Sequence, residues 1–125
     1  MMDRQAAGQE AEDRALQHLL SMRWRLVCRN YRWARGPNAK GGEIDLIMRD
    51  PQGTLVFVEV RQRGRGDTAG GALASVNRSK QRHLIYAARR FLLGLAQCPP
   101  CRFDVIAIDG ERLQWIAAAF EGDGA

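Results

Sequence analysis

The stretch that most constrains this chain runs from Gly42 to Arg63, GEIDLIMRDPQGTLVFVEVRQR. It predicts two short strands joined by a turn. In the first, Ile44, Leu46 and Met48 alternate with Glu43, Asp45 and Ile47; in the second, Leu55, Phe57, Glu59 and Arg61 alternate with Val56, Val58, Val60 and Gln62. Asp50-Pro51-Gln52-Gly53 between them is turn chemistry, because Pro presets one dihedral and Gly accepts a positive φ. The nearly continuous aliphatic residues predict strands covered on both faces. Asp45 and Glu59 sit inside that apolar run, and a buried carboxylate is costly unless it is paired, protonated or bound to a metal.

Folding this hairpin puts Asp45 opposite Val58 or Glu59. Directly opposed residues in an antiparallel pair have Cα atoms about 4.5 to 5.5 Å apart. Two carboxylates at that distance repel each other unless a cation lies between them. Oxygen ligands without His or Cys nearby suit a hard ion, Mg²⁺ or Mn²⁺, rather than zinc. Arg61 is two residues after Glu59 and projects from the same face of the strand. A metal held by Asp45 and Glu59 beside a fixed cation is equipment for attacking a phosphodiester. The alternative is a surface hairpin whose acids pair with arginine.

At 125 residues the chain is expected to form one domain over residues 1–120, with the tail 121–125 (EGDGA) disordered. No apolar run approaches the roughly 20 residues of a membrane span, and the polar N-terminus lacks a secretory signal, so a cytoplasmic protein without membrane partners is expected. The net charge of +5 favours a polyanionic partner, a nucleic acid. The basic residues are almost all Arg; Lys occurs only at Lys40 and Lys80. Cys28, Cys98 and Cys101 do not make a disulfide framework.

Residues 4–22 read as a helix with Asp3 as N-cap and an inward stripe of Ala11, Ala15, Leu16, Leu19 and Leu20. Glu12 falls between the directions of Ala15 and Leu16, a third acid aimed at the core side. Residues 24–31 (WRLVCRNY) read as the first strand, and 32–42 as a loop in which Lys40-Gly41-Gly42 could let backbone approach a phosphate. After the hairpin, residues 64–71 (GRGDTAGG) read as a mobile loop rooted at Arg61, Arg63 and Arg65, either a basic flap over a nucleic-acid backbone or a solvated loop. Residues 74–95 read as the second helix, with a buried stripe of Leu84, Ala87, Ala88, Phe91 and Leu92 and with Arg78, Arg82 and Arg89 on one flank. Lys80, one turn before Leu84, falls on the inner stripe and can reach past the strand ends. Cys98-Pro99-Pro100-Cys101 precedes a strand rather than a helix and has no second zinc half-site, so neither redox nor zinc chemistry is expected of it. Residues 102–108, with Asp104, and 113–120 read as the last two strands, the final one at an edge. The chain between Glu59 and Asp104 has the length of a crossover, which places those two strands parallel.

GEIDLI, FVEVR, a helix with Lys80, CRFDVIAI and an N-terminal helix carrying Glu12 together resemble the bacterial YraN-like family over roughly residues 8–108. That group is assigned to the restriction-endonuclease-like, PD-(D/E)xK, superfamily and is related in fold to Holliday-junction resolvases. The resemblance implies Glu12, Asp45 and Glu59 as metal ligands. It also implies an active-site cation at Arg61, where the superfamily usually has Lys. Asn30, Lys80, Arg102 and Asp104 match further family positions. Ala11 replaces a Gly before Glu12. Arg stays protonated and cannot act as a general base. So the metal alone generates the hydroxide, or Lys80 assists, or catalysis is lost.

The fold expected is α/β, restriction-endonuclease-like by resemblance, with a central mixed sheet of about five strands flanked by helices. The function expected is a Mg²⁺- or Mn²⁺-dependent endonuclease that hydrolyses phosphodiester bonds in structured DNA. Asp45, Glu59, Arg61 and Lys80 are its catalytic residues, and Lys40, Arg61, Arg63, Arg65, Arg78 and Arg82 contact the nucleic acid. The alternative is a catalytically silent nucleic-acid-binding or assembly module that keeps the fold. A homodimer would use the final strand through Leu113, Trp115 and Ile116.

Overall fold

The computed structural model describes residues 4–33, 42–62 and 74–122. In chain order these form helix α1 (Arg4–Ser21), strands β1 (Arg25–Trp33), β2 (Gly42–Arg49) and β3 (Leu55–Gln62), helix α2 (Arg78–Leu92), and strands β4 (Cys101–Asp109) and β5 (Arg112–Phe120). The five strands make one mixed sheet in the order β1-β2-β3-β4-β5. The β1–β2, β2–β3 and β4–β5 pairs are antiparallel. The β3–β4 pair is parallel, as the crossover length required, and α2 lies within that crossover.

Helices cover both faces. Ala11, Ala15, Leu16 and Leu19 of α1 pack with Leu46, Met48, Val56, Val58, Ile106 and Ile108. Val76, Leu84, Ala87 and Ala88 pack on the other face with Ile44, Ile47, Leu55, Phe57, Phe103 and Val105. The continuous aliphatic runs of β2, β3 and β4 follow from this, because each strand feeds both cores. Leu20, expected in the inward stripe of α1, is 40% exposed, while its neighbour Leu19 is fully buried, so Leu20 lies outside the buried stripe.

The Asp50–Gly53 turn forms as expected. Gly53 donates its N–H to Asp50 O at 3.0 Å and adopts φ 91°. The Asp50 carboxylate accepts from the N–H groups of Gln52 and Thr54 at 3.0 and 2.8 Å. Helix α2 begins later than its apolar pattern suggested. Asn77 caps it, its side chain accepting from Lys80 N at 2.8 Å, so Val76 packs as part of the approach to the helix. Gly42 has a packing reason: a Cβ there would lie 2.4 Å from His83 O and 2.8 Å from Ala87 Cβ, so β2 starts directly against α2. Asp3, Lys40-Gly41, residues 64–71 with Arg65, and Arg63 lie outside the described residues. In the expected tail, Gly122 lies against the Phe103 ring, and residues 123–125 lie outside the described residues.

β5 is an edge strand, but Trp115 is not an outward anchor. Its Nε1 donates to Asp104 Oδ2 at 3.0 Å, and its ring meets those of Trp24 and His18 edge-on. Leu113 also packs toward the α1-side core.

Candidate functional site

The pairing of β2 with β3 runs from Arg49↔Leu55 to Leu46↔Val58. The next pair in that register is Asp45 with Glu59. There the ladder gives way to a side chain: Asp45 Oδ2 accepts the N–H of Val60 at 2.8 Å. Glu59 is 3% exposed and faces α2. Lys80 Nζ, in the first turn of α2, and Arg61 Nη1, two residues along β3, lie 3.4 and 3.5 Å from Glu59 Oε2. The other oxygen, Glu59 Oε1, is buried and meets no hydrogen-bond donor among the described residues. Arg61 is fixed from behind: its Nη2 donates to Ser75 O, and its Nε to Ser75 Oγ at 3.4 Å.

Asp45 is partly buried. Burial first, and then the charge and hydrogen bonding of Glu59, push its carboxyl up to about 8, against the opposing Val60 N–H and Lys80. Two acids in contact cannot both ionise cheaply, so one proton is held between them near neutral pH. A cation could take its place.

Glu12 approaches from the α1 side. Burial, and next the charge of Asp45, raise its carboxyl, while Arg29 opposes. Arg29 Nε sits 3.5 Å from Glu12 Oε1, and Arg29 Nη2 binds Asp13 Oδ1 at 2.6 Å. Asp45 therefore feels Glu59 from one face and Glu12 from the other. The structure brings Asp45, Glu59, Arg61 and Lys80 into one cluster, with Glu12 at its margin and engaged by Arg29. Among the described residues, no group of three His, Cys, Asp or Glu side chains is gathered closely enough to hold a metal ion as it stands. A shallow cavity of about 440 Å³ lies beside Glu12, lined by Gly8, Gln9, Asn30, Arg32 and Glu43.

Arg78 and Arg82 flank Lys80 and are exposed. Lys40, Arg63 and Arg65 fall outside the described residues. Arg102 and Asp104 are structural. Asp104 is 1% exposed and accepts from Arg102 Nε, Trp115 Nε1 and Ala118 N at 3.0, 3.0 and 2.9 Å. Arg102 also reaches Asp50 at 3.7 Å and lies over the Trp24 ring. Cys98, ahead of β4, and Cys101, its first residue, are exposed free thiols, and burial followed by the charge of Cys98 raises the Cys101 thiol, the opposite of redox activation. Ser75 was not singled out because the helical pattern over 74–95 extends across it, whereas the helix is capped at Asn77. Arg29 escaped because β1 alternation does not show which face meets α1.

Fold and site define a three-layer α/β domain with a carboxylate pair, one member buried and held by two cations, where two strands part. The chain belongs to the family described as Uncharacterised protein family UPF0102, the YraN-like group its motifs resemble, and matches it over residues 11–108. It is 57% identical over 123 residues to a UPF0102 protein of Cupriavidus taiwanensis, covering 98% of this chain and 88% of that one. It is 53% identical over 121 residues to a UPF0102 protein of Methylibium petroleiphilum, covering 97% and 98%. No helix among the described residues is long and apolar enough to cross a membrane.

Proposed function

We propose that this chain is a Mg²⁺- or Mn²⁺-dependent endonuclease of the restriction-endonuclease-like type, acting on structured DNA in the cytoplasm. The observation that carries the reading is Glu59 Oε1, a buried carboxylate oxygen without a donor, beside an Asp45 carboxyl pushed up to about 8. Burying such an oxygen unsatisfied costs about 1 to 3 kcal/mol or more, so the pair takes either a shared proton or, in its place, a cation that bonds both acids. A hard divalent ion fits that oxygen donor set. Asp45 and Glu59 would hold it, with Glu12 the nearest further carboxylate. A bound ion of this kind supplies a polarised phosphoryl oxygen and an activated water.

The remaining roles belong to the chain's own cations. Arg61, fixed by Ser75, stabilises charge developing on the phosphoryl oxygens. Lys80 brings from the helix the ammonium that β3 lacks at Arg61, and an ammonium can surrender a proton where a guanidinium cannot. Arg78 and Arg82 hold the phosphate backbone without reading base sequence.

One observation favours a second reading, a catalytically silent nucleic-acid-binding module. Arg61 and Lys80 already lie within 3.5 Å of Glu59 Oε2 and can neutralise it without a metal. A low-salt panel of single-stranded, duplex, flap and four-way-junction DNA and of RNA separates the two, run with Mg²⁺, Mn²⁺ or EDTA. The expected result is metal-dependent cutting that disappears with EDTA and in Asp45→Asn. Salt-sensitive binding without cutting, unchanged by the substitution, establishes the silent module instead. Cleavage gained only in Arg61→Lys marks a decayed nuclease.

A further inference from the structure

In a regular strand, side chains two residues apart share a face and those three apart do not. β1 and β2 break this rule at the same place. Cys28 and Tyr31, three apart on β1, both pack against the α2-side core. Ile44 and Ile47, three apart on β2, pack there too. The register nevertheless stays in step, with Cys28↔Ile47, Arg29↔Leu46 and Tyr31↔Ile44 paired. Arg29 and Leu46 face α1, through Glu12 and the α1-side core, so both strands change face within one step. The only residues in that step are Asn30 and Asp45.

Asn30 has φ 56°, the left-handed region, in the middle of a strand. Asn enters that region several-fold more readily than most residues, and a β-branched residue hardly at all. Such an outlier in a strand points to a constraint held by its surroundings. Here the result is visible on the partner strand. Asp45 leaves the ordinary alternation and turns its carboxylate to the Val60 N–H on β3, next to Glu59.

We infer that Asn30 is a positioning residue: its left-handed backbone turns both strands over in one step and thereby aims the Asp45 carboxylate at Val60 and Glu59. It acts through backbone conformation and touches no reacting atom, so Gly, which adopts positive φ freely, replaces it and Val does not. The importance of this for catalysis rests on the proposed metal-dependent function, but the geometry does not.

The test is amide hydrogen exchange of metal-free protein by NMR, with Asn30→Gly, Asn30→Ala and Asn30→Val compared with wild type, followed by Mn²⁺ titration calorimetry. The Val60 amide is expected to stay protected in Asn30→Gly. It should lose protection in Asn30→Ala and, where that variant folds, in Asn30→Val, while amides of the distant β4–β5 pair keep theirs. Mn²⁺ affinity should follow, holding in Asn30→Gly and falling about tenfold or more in the others, the usual effect of disturbing a residue that orients a ligand. An unchanged Val60 amide in folded Asn30→Ala, or its loss in Asn30→Gly, overturns the inference. Wild type that binds no Mn²⁺ while Val60 behaves as expected overturns the metal reading and leaves the role of Asn30 established.

Discussion

The Asp45 carboxyl sits at about 8 because burial and Glu59 both penalise its anion, whereas in the unfolded chain it returns to about 3.8. A raised folded value means that the native state binds the extra proton between those two limits, so stability falls as pH rises through the window. The effect is complete above pH 8 and absent below the unfolded value, with a ceiling of about 1.4 kcal/mol per pH unit for one proton. Replacing the acid with its neutral isostere removes it. Chemical denaturation at several pH values should therefore show Asp45→Asn gaining on wild type from pH 4 to pH 8 in metal-free buffer. Added Mn²⁺ should close the gap by stabilising wild type alone. A constant difference between the two proteins across pH would mean that the Asp45 proton does not belong to the carboxylate pair.

At the scale of elements, two of the strand irregularities carry different loads. The Asn30–Asp45 step shapes the site, while the β4–β5 shift between Phe103 and Val105 stabilises the fold. Ala118 there adopts φ 50°, a costly conformation for a residue with a Cβ, and gives its N–H to the buried Asp104 carboxylate. Asp104→Ala strands that N–H, the Trp115 N–H and the Arg102 guanidinium together. It should cost about 3 to 5 kcal/mol in denaturant unfolding, the range for breaking a buried pair. A loss under 1 kcal/mol would show that Arg102 re-pairs with Asp50. These details also mark what the sequence made legible. The hairpin, its turn and the two-sided burial were readable, and Asp45 could be placed opposite Val58 or Glu59, because period-two hydrophobicity and turn chemistry are local. The role of Asp104 was not, since the shift that calls for it lies in β5. The concerted step at Asn30 was invisible because a period-two reading assumes that alternation never breaks. The start of α2 was misplaced although Asn77 carried the cap signal, because small and apolar residues ahead of it extend the helical pattern.

At the scale of the molecule, charge is divided between the two helical layers. Helix α2 carries Arg78, Lys80, Arg82, Arg89 and Arg90 and no acid. Helix α1 sets Glu10, Glu12 and Asp13 beside Arg14. The carboxylate cluster opens between them, but Glu59, Arg61 and Lys80 belong to the α2 side. If the proposed function holds, a polyanion would be drawn to the α2 layer rather than the α1 layer and would reach the acids past Lys80. Each phosphate held by a cation releases condensed counterions, so the slope of log affinity against log salt counts those contacts at about 0.9 each on duplex DNA. Arg78→Gln and Arg82→Gln, measured on one DNA over a salt series, should each weaken binding and flatten the slope by about one contact. The loss should be the same for every sequence tested, because phosphates carry no base information. Arg14→Gln, on the α1 layer, should leave the slope alone, since that side chain donates to the carbonyls of Gly110 and Glu111. If the α1 substitution flattens the slope as much as the α2 pair, the polarity of the fold does not direct the substrate, and the basic charge acts only as a diffuse field.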